Sequence, residues 1–185
     1  MLKGIYIAWW RFVGQIFFDG KYLKGKYFDN SLTGWRWVWR SIFTQKLFGF
    51  NRHIPWPVSP NIVILNAKNI QFHVDSIKNF QSFGCYFQNQ DARIFLGKGV
   101  WIGPNVGIIT SNHEPEEPDR HLPGEDIHIG DNCWIGMNAV VLPGVVLGPN
   151  TTVGAGSVVN RSYPEGNCVI AGVPARLIRK LDDLE

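Results

Sequence analysis

Between Ile108 and Asp126 the chain reads IITSNHEPEEPDRHLPGED, and this stretch contains His113. An imidazole changes charge close to neutral pH, so an outward-facing histidine on a rigid support can take a proton from a weakly acidic group. A histidine in an ordinary surface turn does nothing of the kind, and position alone favours that plainer reading. Further along, AGVPARLIRK sets Arg176 and Arg179 three apart, a spacing that on a helix brings both guanidinium groups to one face, where they can grip a phosphate. Basic residues facing solvent are the plainer account of the arginines. His113, His121 and His128 also supply enough imidazoles for a zinc site, provided they converge.

Such groups act only when something holds them, and here the support is a repeat. From Ile129 the sequence divides into sixes: IGDNCW, IGMNAV, VLPGVV, LGPNTT and VGAGSV, with Val159 opening the next. The first position is always aliphatic, and the fifth is Cys133, Ala139, Val145, Thr151 or Ser157, always small. The same frame fits LGKGVW, IGPNVG and IITSNH upstream, which puts His113 at a sixth position, facing outward. A period of six suits neither a helix nor a plain alternating strand. Short flat strands joined by turns, one hexapeptide per face of a prism, place every first residue inward and stack it on its equivalent. Gly, Asn and Pro at the second to fourth positions suit the corners, where positive φ or a tight turn is needed.

The bounds agree with a folded domain. The 185 residues are 45% hydrophobic, and no apolar run is long enough to span a bilayer. Three separated cysteines, Cys85, Cys133 and Cys168, form no metal-type spacing and imply reduced thiols in a cytoplasmic protein. The start, IYIAWWRFVGQIFF, is too bulky and carries Arg11, unlike an export signal. The net charge of +3 hides an asymmetry: residues 1–50 hold eight Lys or Arg against two Asp, so the remainder is net acidic. A basic segment of this kind meets anionic lipid or an acidic polymer, or is simply a solvated face; nucleic acid is not an expected partner.

The repeat resembles the left-handed parallel β-helix of hexapeptide-repeat acyltransferases, of the sugar and polysaccharide O-acetyltransferase type, most strongly from Leu96 to Arg179. The resemblance implies an all-β fold, to which the composition of the flanking segments adds a helical, aromatic N-terminal appendage and a C-terminal helix. Residues 1–57 are then a cap or a membrane-interface segment, 58–172 the β-helix with an excursion loop at 114–127, and 173–185 a short helix carrying Leu177, Ile178, Leu181 and Leu184 along one side. It further implies acetyl transfer from acetyl-CoA to a hydroxyl of a sugar or glycan precursor, in a homotrimer whose sites lie between subunits, with no metal. His113 is then the general base and the backbone N–H of Met137, three residues after Trp134, the oxyanion donor. Trp134 and Gly136 line the acyl and pantetheine channel, Ala155, Asn160 and Arg161 follow the pantetheine and adenine, and Arg176 and Arg179 meet the phosphates. Asn89 and Asn112 face the acceptor. An N-acetyltransferase, a γ-carbonic-anhydrase-like metalloenzyme and a non-catalytic scaffold stay open.

The first fifty residues do not follow that family. GWRWVWRSIFTQKLFGF mixes aromatic and basic groups, and five of the eight tryptophans lie before Asn51. The composition suits an aromatic plug on the open end of the β-helix, a peripheral contact with the inner membrane face, or both.

Overall fold

The computed structural model describes residues 2–181. Two helices, α1 (Leu2–Phe17) and α2 (Thr33–Ser41), the second prolonged by a π-helical turn over Ile42–Leu47, precede the strands. The coils then run through β1 (Val63–Ile64), β2 (Ile70–Phe72), β3 (Tyr86–Gln88), β4 (Ile94–Leu96), β5 (Trp101–Ile102) and β6 (Gly107–Ile109). A hairpin of β7 (His113–Glu114) and β8 (Glu117–His121) interrupts them. They resume with β9 (Ile127–Ile129), β10 (Trp134–Ile135), β11 (Val140–Val141), β12 (Val146–Leu147), β13 (Thr151–Val153) and β14 (Val158–Val159), and the chain closes with β15 (Cys168–Gly172) and β16 (Ala175–Lys180).

Successive strands fall in turn on three sheets, ordered β1-β3-β6-β11-β14, β2-β4-β9-β12 and β5-β10-β13-β15-β16. Apart from β16, each pair within these sheets is parallel, so the chain winds as a parallel β-helix. Register turns the repeat into rows. Phe87, Ile108, Val141 and Val159 stack on one face, and Ile102, Ile135, Val153 and Ile170 on another, all buried. The small fifth-position residues, from Cys133 to Ser157, are buried too, as a narrow interior requires.

The corners depend on the fourth position. Asn105, Asn132, Asn138 and Asn150 sit there at φ 56–58°, and Gly99, Gly144 and Gly156 at φ 69–75°. This left-handed region is open to glycine and tolerated by asparagine, which explains the restricted choice.

Both ends of the coil stack are covered. At the first, the edge of β5 meets a 3-10 segment, where the Asn79 amide donates to Val100 O (3.0 Å) and accepts from Ile102 N (3.0 Å), standing in for a strand. Rings then link the N-terminal segment to the coils: Tyr22 stacks on Phe72 (5.3 Å), Trp56 meets Phe80 (5.2 Å), and Phe80 meets Phe87 (5.4 Å).

At the other end the sequence-based expectation of a helix over 173–185 fails. Residues 175–180 instead form β16, antiparallel to β15, while Leu184 lies outside the described residues. The reason is hydrogen bonding: β15 is an edge with a free row of backbone groups, and a returning strand satisfies them where a short helix would not.

Candidate active site

The frame that begins at Ile108 puts Ser111, not Asn or Gly, at the left-handed fourth position, and here the chain leaves the prism. Its departure is pinned by Gln88. The Gln88 carboxamide oxygen accepts from Thr110 N (3.0 Å) and Ser111 N (3.1 Å), its nitrogen donates to Ser111 Oγ (2.7 Å), and Thr110 Oγ1 donates to Gln88 O (2.9 Å). Thr110 and Ser111 are both buried, so these bonds satisfy groups that would otherwise be costly to enclose.

Beyond this anchor the loop is ordered as a hairpin in which His113 faces His121 and Glu114 faces Glu117. Arg120 ties the strands together, reaching Glu114 at 2.9 Å and Glu117 at 3.5 Å. The return is fixed by Leu122 N donating to Asn112 O (2.8 Å), Glu125 N to Thr110 O (2.7 Å) and Arg93 N to Asp126 Oδ1 (2.7 Å). Gly124 passes so close to Ala92 that a Cβ there would lie 2.9 Å from the Ala92 Cβ.

The hairpin positions His113. Its Nδ1 meets the carbonyl oxygen of Pro118 at 2.5 Å, and its ring lies 4.2 Å from that of His121. A carbonyl can only accept, so Nδ1 carries the hydrogen and the neutral ring keeps its lone pair on Nε2. The ring borders a cleft of about 380 Å³ lined by Leu65, Tyr86, Gln88, Gln90, Asp91, His113 and His121.

Asn89 does not face this cleft. It is fully buried, accepting from Asn66 N (3.1 Å) and donating to Asn66 O (2.6 Å), so it serves the backbone of the preceding coil. Its neighbours Gln88, Gln90 and Asp91 border the cleft instead. Asn112 is exposed and holds the hairpin through its carbonyl. The three histidines considered as metal ligands do not gather in one chain: His128 stacks on Phe95 at 4.3 Å, on β9, away from the His113–His121 pair.

Of the residues expected along a coenzyme, Trp134, Arg176 and Arg179 lie on another face, while Asn160 and Arg161 follow β14. Strand register aligns Trp101, Trp134, Thr152, Val169 and Arg179 as one row across β5, β10, β13, β15 and β16. The two tryptophans are exposed. In an unbroken strand, positions 176 and 179 would point to opposite sides. Ile178 has no partner in the ladder, so this bulge restores Arg176 (opposite Ala171) and Arg179 (opposite Val169) to a common side. The helix was wrong and the shared face is right.

Gly136 is buried, and a Cβ on it would lie 2.6 Å from Ala155 N, so its role is close coil contact. Met137 occupies a third position, a slot that Pro104, Pro143 and Pro149 fill in other coils, where no N–H is required. Its carbonyl accepts from Gly156 N (2.9 Å), and among the described residues no hydrogen bond engages its N–H. Ala155 and Asn160 are exposed; Arg161 is committed to Tyr163, donating to the hydroxyl at 2.8 Å. One residue here gave no sequence signal: Lys78, whose Nζ sits 2.8 Å from the Trp101 ring centroid. Burial, and secondarily the charge of Lys26, push its ammonium down to about 8.

Within one chain the His113 cleft and the tryptophan–arginine row stay separate, since none of the row's residues lines the cleft. Among the described residues no helix is long and apolar enough to cross a membrane.

The coils define a hexapeptide-built parallel β-helix, and comparison with known proteins narrows the class. Residues 126–161 match the family described as bacterial transferase hexapeptide (six repeats). A candidate acetyltransferase of Dictyostelium discoideum is 39% identical over 83% of this chain and 78% of its own length. The galactoside O-acetyltransferase of Lactococcus lactis is 38% identical over 63% of this chain, which spans only 56% of that enzyme. Among solved structures, a galactoside acetyltransferase in complex with coenzyme A aligns with TM-score 0.61 and 25% identity over 96% of this chain and 83% of its own. The chain belongs to the hexapeptide-repeat acetyltransferases.

Proposed function

We propose that the protein is an acetyl-CoA-dependent O-acetyltransferase acting on a hydroxyl of a sugar or glycan precursor. Its coils wind left-handed and three chains assemble around shared grooves. The observation that carries the reading is the His113 imidazole, held at Nδ1 by Pro118 and bordering the cleft, with no bond to Nε2 among the described residues.

When bound, acetyl-CoA supplies a thioester carbonyl open to attack by an oxygen, with a thiolate as leaving group. The rest is work for the chain. A sugar hydroxyl is a feeble nucleophile at neutral pH, so Nε2 of His113 takes its proton as the oxygen attacks and later returns it toward the departing sulfur. Such a base contributes about 10²–10⁴ in rate. The unengaged N–H of Met137 offers the donor that an oxyanion needs, a contribution of about 10²–10³. Gln88, Gln90, Asp91 and Tyr86 supply the polar edges that recognise hydroxyl groups.

The row from Trp134 to Arg179 fits the coenzyme. Three strand spacings of about 4.8 Å carry it roughly 14 Å from the aromatic ring to the guanidinium. That length suits a pantetheine arm, with Arg176 and Arg179 at its phosphate end. Because cleft and row are separate within one chain, a neighbour's row completes each site, and this supports the trimer. The galactoside enzyme among the relatives supports a sugar acceptor.

The test is a screen of sugars, nucleotide sugars and amino sugars with acetyl-CoA, followed by release of free thiol. Turnover with a sugar hydroxyl is expected. Turnover confined to amines would make the protein an N-acetyltransferase, and thiol release with no acceptor beyond the water background would overturn the reading.

A further inference from the structure

The helical cap bears a surface that neither the coils nor the His113 cleft uses. On α1, Trp9, Phe12 and Ile16 are 56%, 70% and 64% exposed, at a spacing that keeps them on one side. Trp39, Phe43 and Leu47 repeat the arrangement along α2 and its π-helical turn, and Phe48 and Phe50 continue it. The two stripes form one surface: Trp9 meets Trp10 at 4.8 Å, Trp10 meets Trp39 at 5.5 Å, and Trp39 meets Phe43 at 4.7 Å. Other residues of the same helices, Trp10, Trp35 and Val38, are already buried in the core. These helices are therefore apolar toward both protein and solvent, and contiguous exposed patches of that kind mark a contact surface.

The charge of the segment that carries the patch selects what it contacts. Residues 1–50 contain eight basic groups and two acids, and the acids are spoken for: Asp29 pairs with Arg11 (3.0 Å) and Asp19 with Lys21 (3.2 Å). By sequence, Lys3, Lys24, Lys26, Arg36, Arg40 and Lys46 remain as net positive charge. A second copy docking face to face would oppose like charges. The acidic hairpin of another copy matches the sign, but all five residues of β8 are polar or proline and offer no apolar counterface. An anionic bilayer supplies both the charge and the apolar depth.

We propose that this face docks the protein on an anionic lipid surface, with both helices lying in the headgroup plane. Trp9 and Trp39 sit at the interfacial level, while Phe12, Ile16, Leu47 and Phe48 dip toward the acyl chains. With Arg11 in the middle of α1, the helix lies on the bilayer and does not enter it. This docking is independent of the acetyl-transfer reading.

The full chain is sedimented with vesicles of phosphatidylcholine alone, or with phosphatidylglycerol as about a third of the lipid. Binding to the anionic vesicles is expected, weakened by high salt. A combined Trp39→Ser, Phe43→Ser, Leu47→Ser variant is expected to lose at least about tenfold in partitioning. Arg36→Glu should weaken binding to the anionic vesicles and leave the weak binding to neutral ones unchanged. In the unaltered chain, brominated acyl chains should quench tryptophan fluorescence, a readout that does not depend on the variant folding. A protein left in the supernatant with both vesicles, unquenched, overturns the proposal. So does a triple variant that is folded and binds as well as the parent, or one whose only change is a smaller assembly mass by light scattering, which would assign the face to a second copy.

Discussion

His113 and His121 stand opposite each other across the β7–β8 hairpin, ring on ring at 4.2 Å, while Pro118 in the same hairpin holds Nδ1 of His113. The stretch that breaks the repeat thus presents the proposed base and fixes its tautomer. Replacing His121 with Ala removes the ring that packs against His113 and should lower kcat about tenfold with little change in KM for acetyl-CoA, an effect typical of a small misplacement. His121→Phe should restore most of the rate if packing is its role. A Phe variant as impaired as Ala would point to proton sharing between the two rings.

Gln88 is the second support. Gln88→Leu leaves the Ser111 amide without its acceptor, while Thr110 N keeps its bond to the Gln88 main-chain oxygen (3.0 Å), and should cost about 1–3 kcal/mol in chemical denaturation, because a buried donor is left unpaired. kcat should fall more than acetyl-CoA affinity. A variant of unchanged stability would show that the take-off point is held by something else.

The arginines should separate. Arg179 continues the tryptophan row, so Arg179→Ala should raise KM for acetyl-CoA about tenfold, the loss of one charge-assisted phosphate contact, with kcat retained. Arg161→Ala should have the smaller effect, since its guanidinium is held by Tyr163. The reverse order would contradict the placement of the coenzyme along that row.

Lys78 gives a pH signature. Its ammonium is held at about 8 against an ordinary 10.5, so the folded state gives up this proton before the unfolded chain does. The penalty is fully present below about pH 8 and is relieved as pH rises toward 10.5, where stability climbs because the unfolded chain binds more protons. Wild-type Tm should therefore gain on that of Lys78→Met between these limits. A constant difference would mean that the Trp101 ring compensates for burial.

Much of the scaffold is legible before any coordinates. The inward row needs an aliphatic at every first position and the corners need Asn or Gly at every fourth, and both demands appear in the text of the sequence. His113 is found because it closes the last hexapeptide before the repeat halts. The hairpin itself is hidden, since Glu117–His121 is wholly exposed and polar and shows no alternation. β16 misleads because the bulge at Ile178 lets residues three apart share a side, as they would on a helix. Asn89 and Gln88 are adjacent polar residues in one coil, and only packing reveals that the first is enclosed and the second reaches the cleft.

The most direct test is His113→Ala, with acetyl-CoA binding measured by calorimetry beside acceptor-dependent thiol release. The account predicts turnover reduced by at least about 10²-fold with the binding constant unchanged, since the base is on the cleft and not on the coenzyme row. Full turnover in that variant would contradict it.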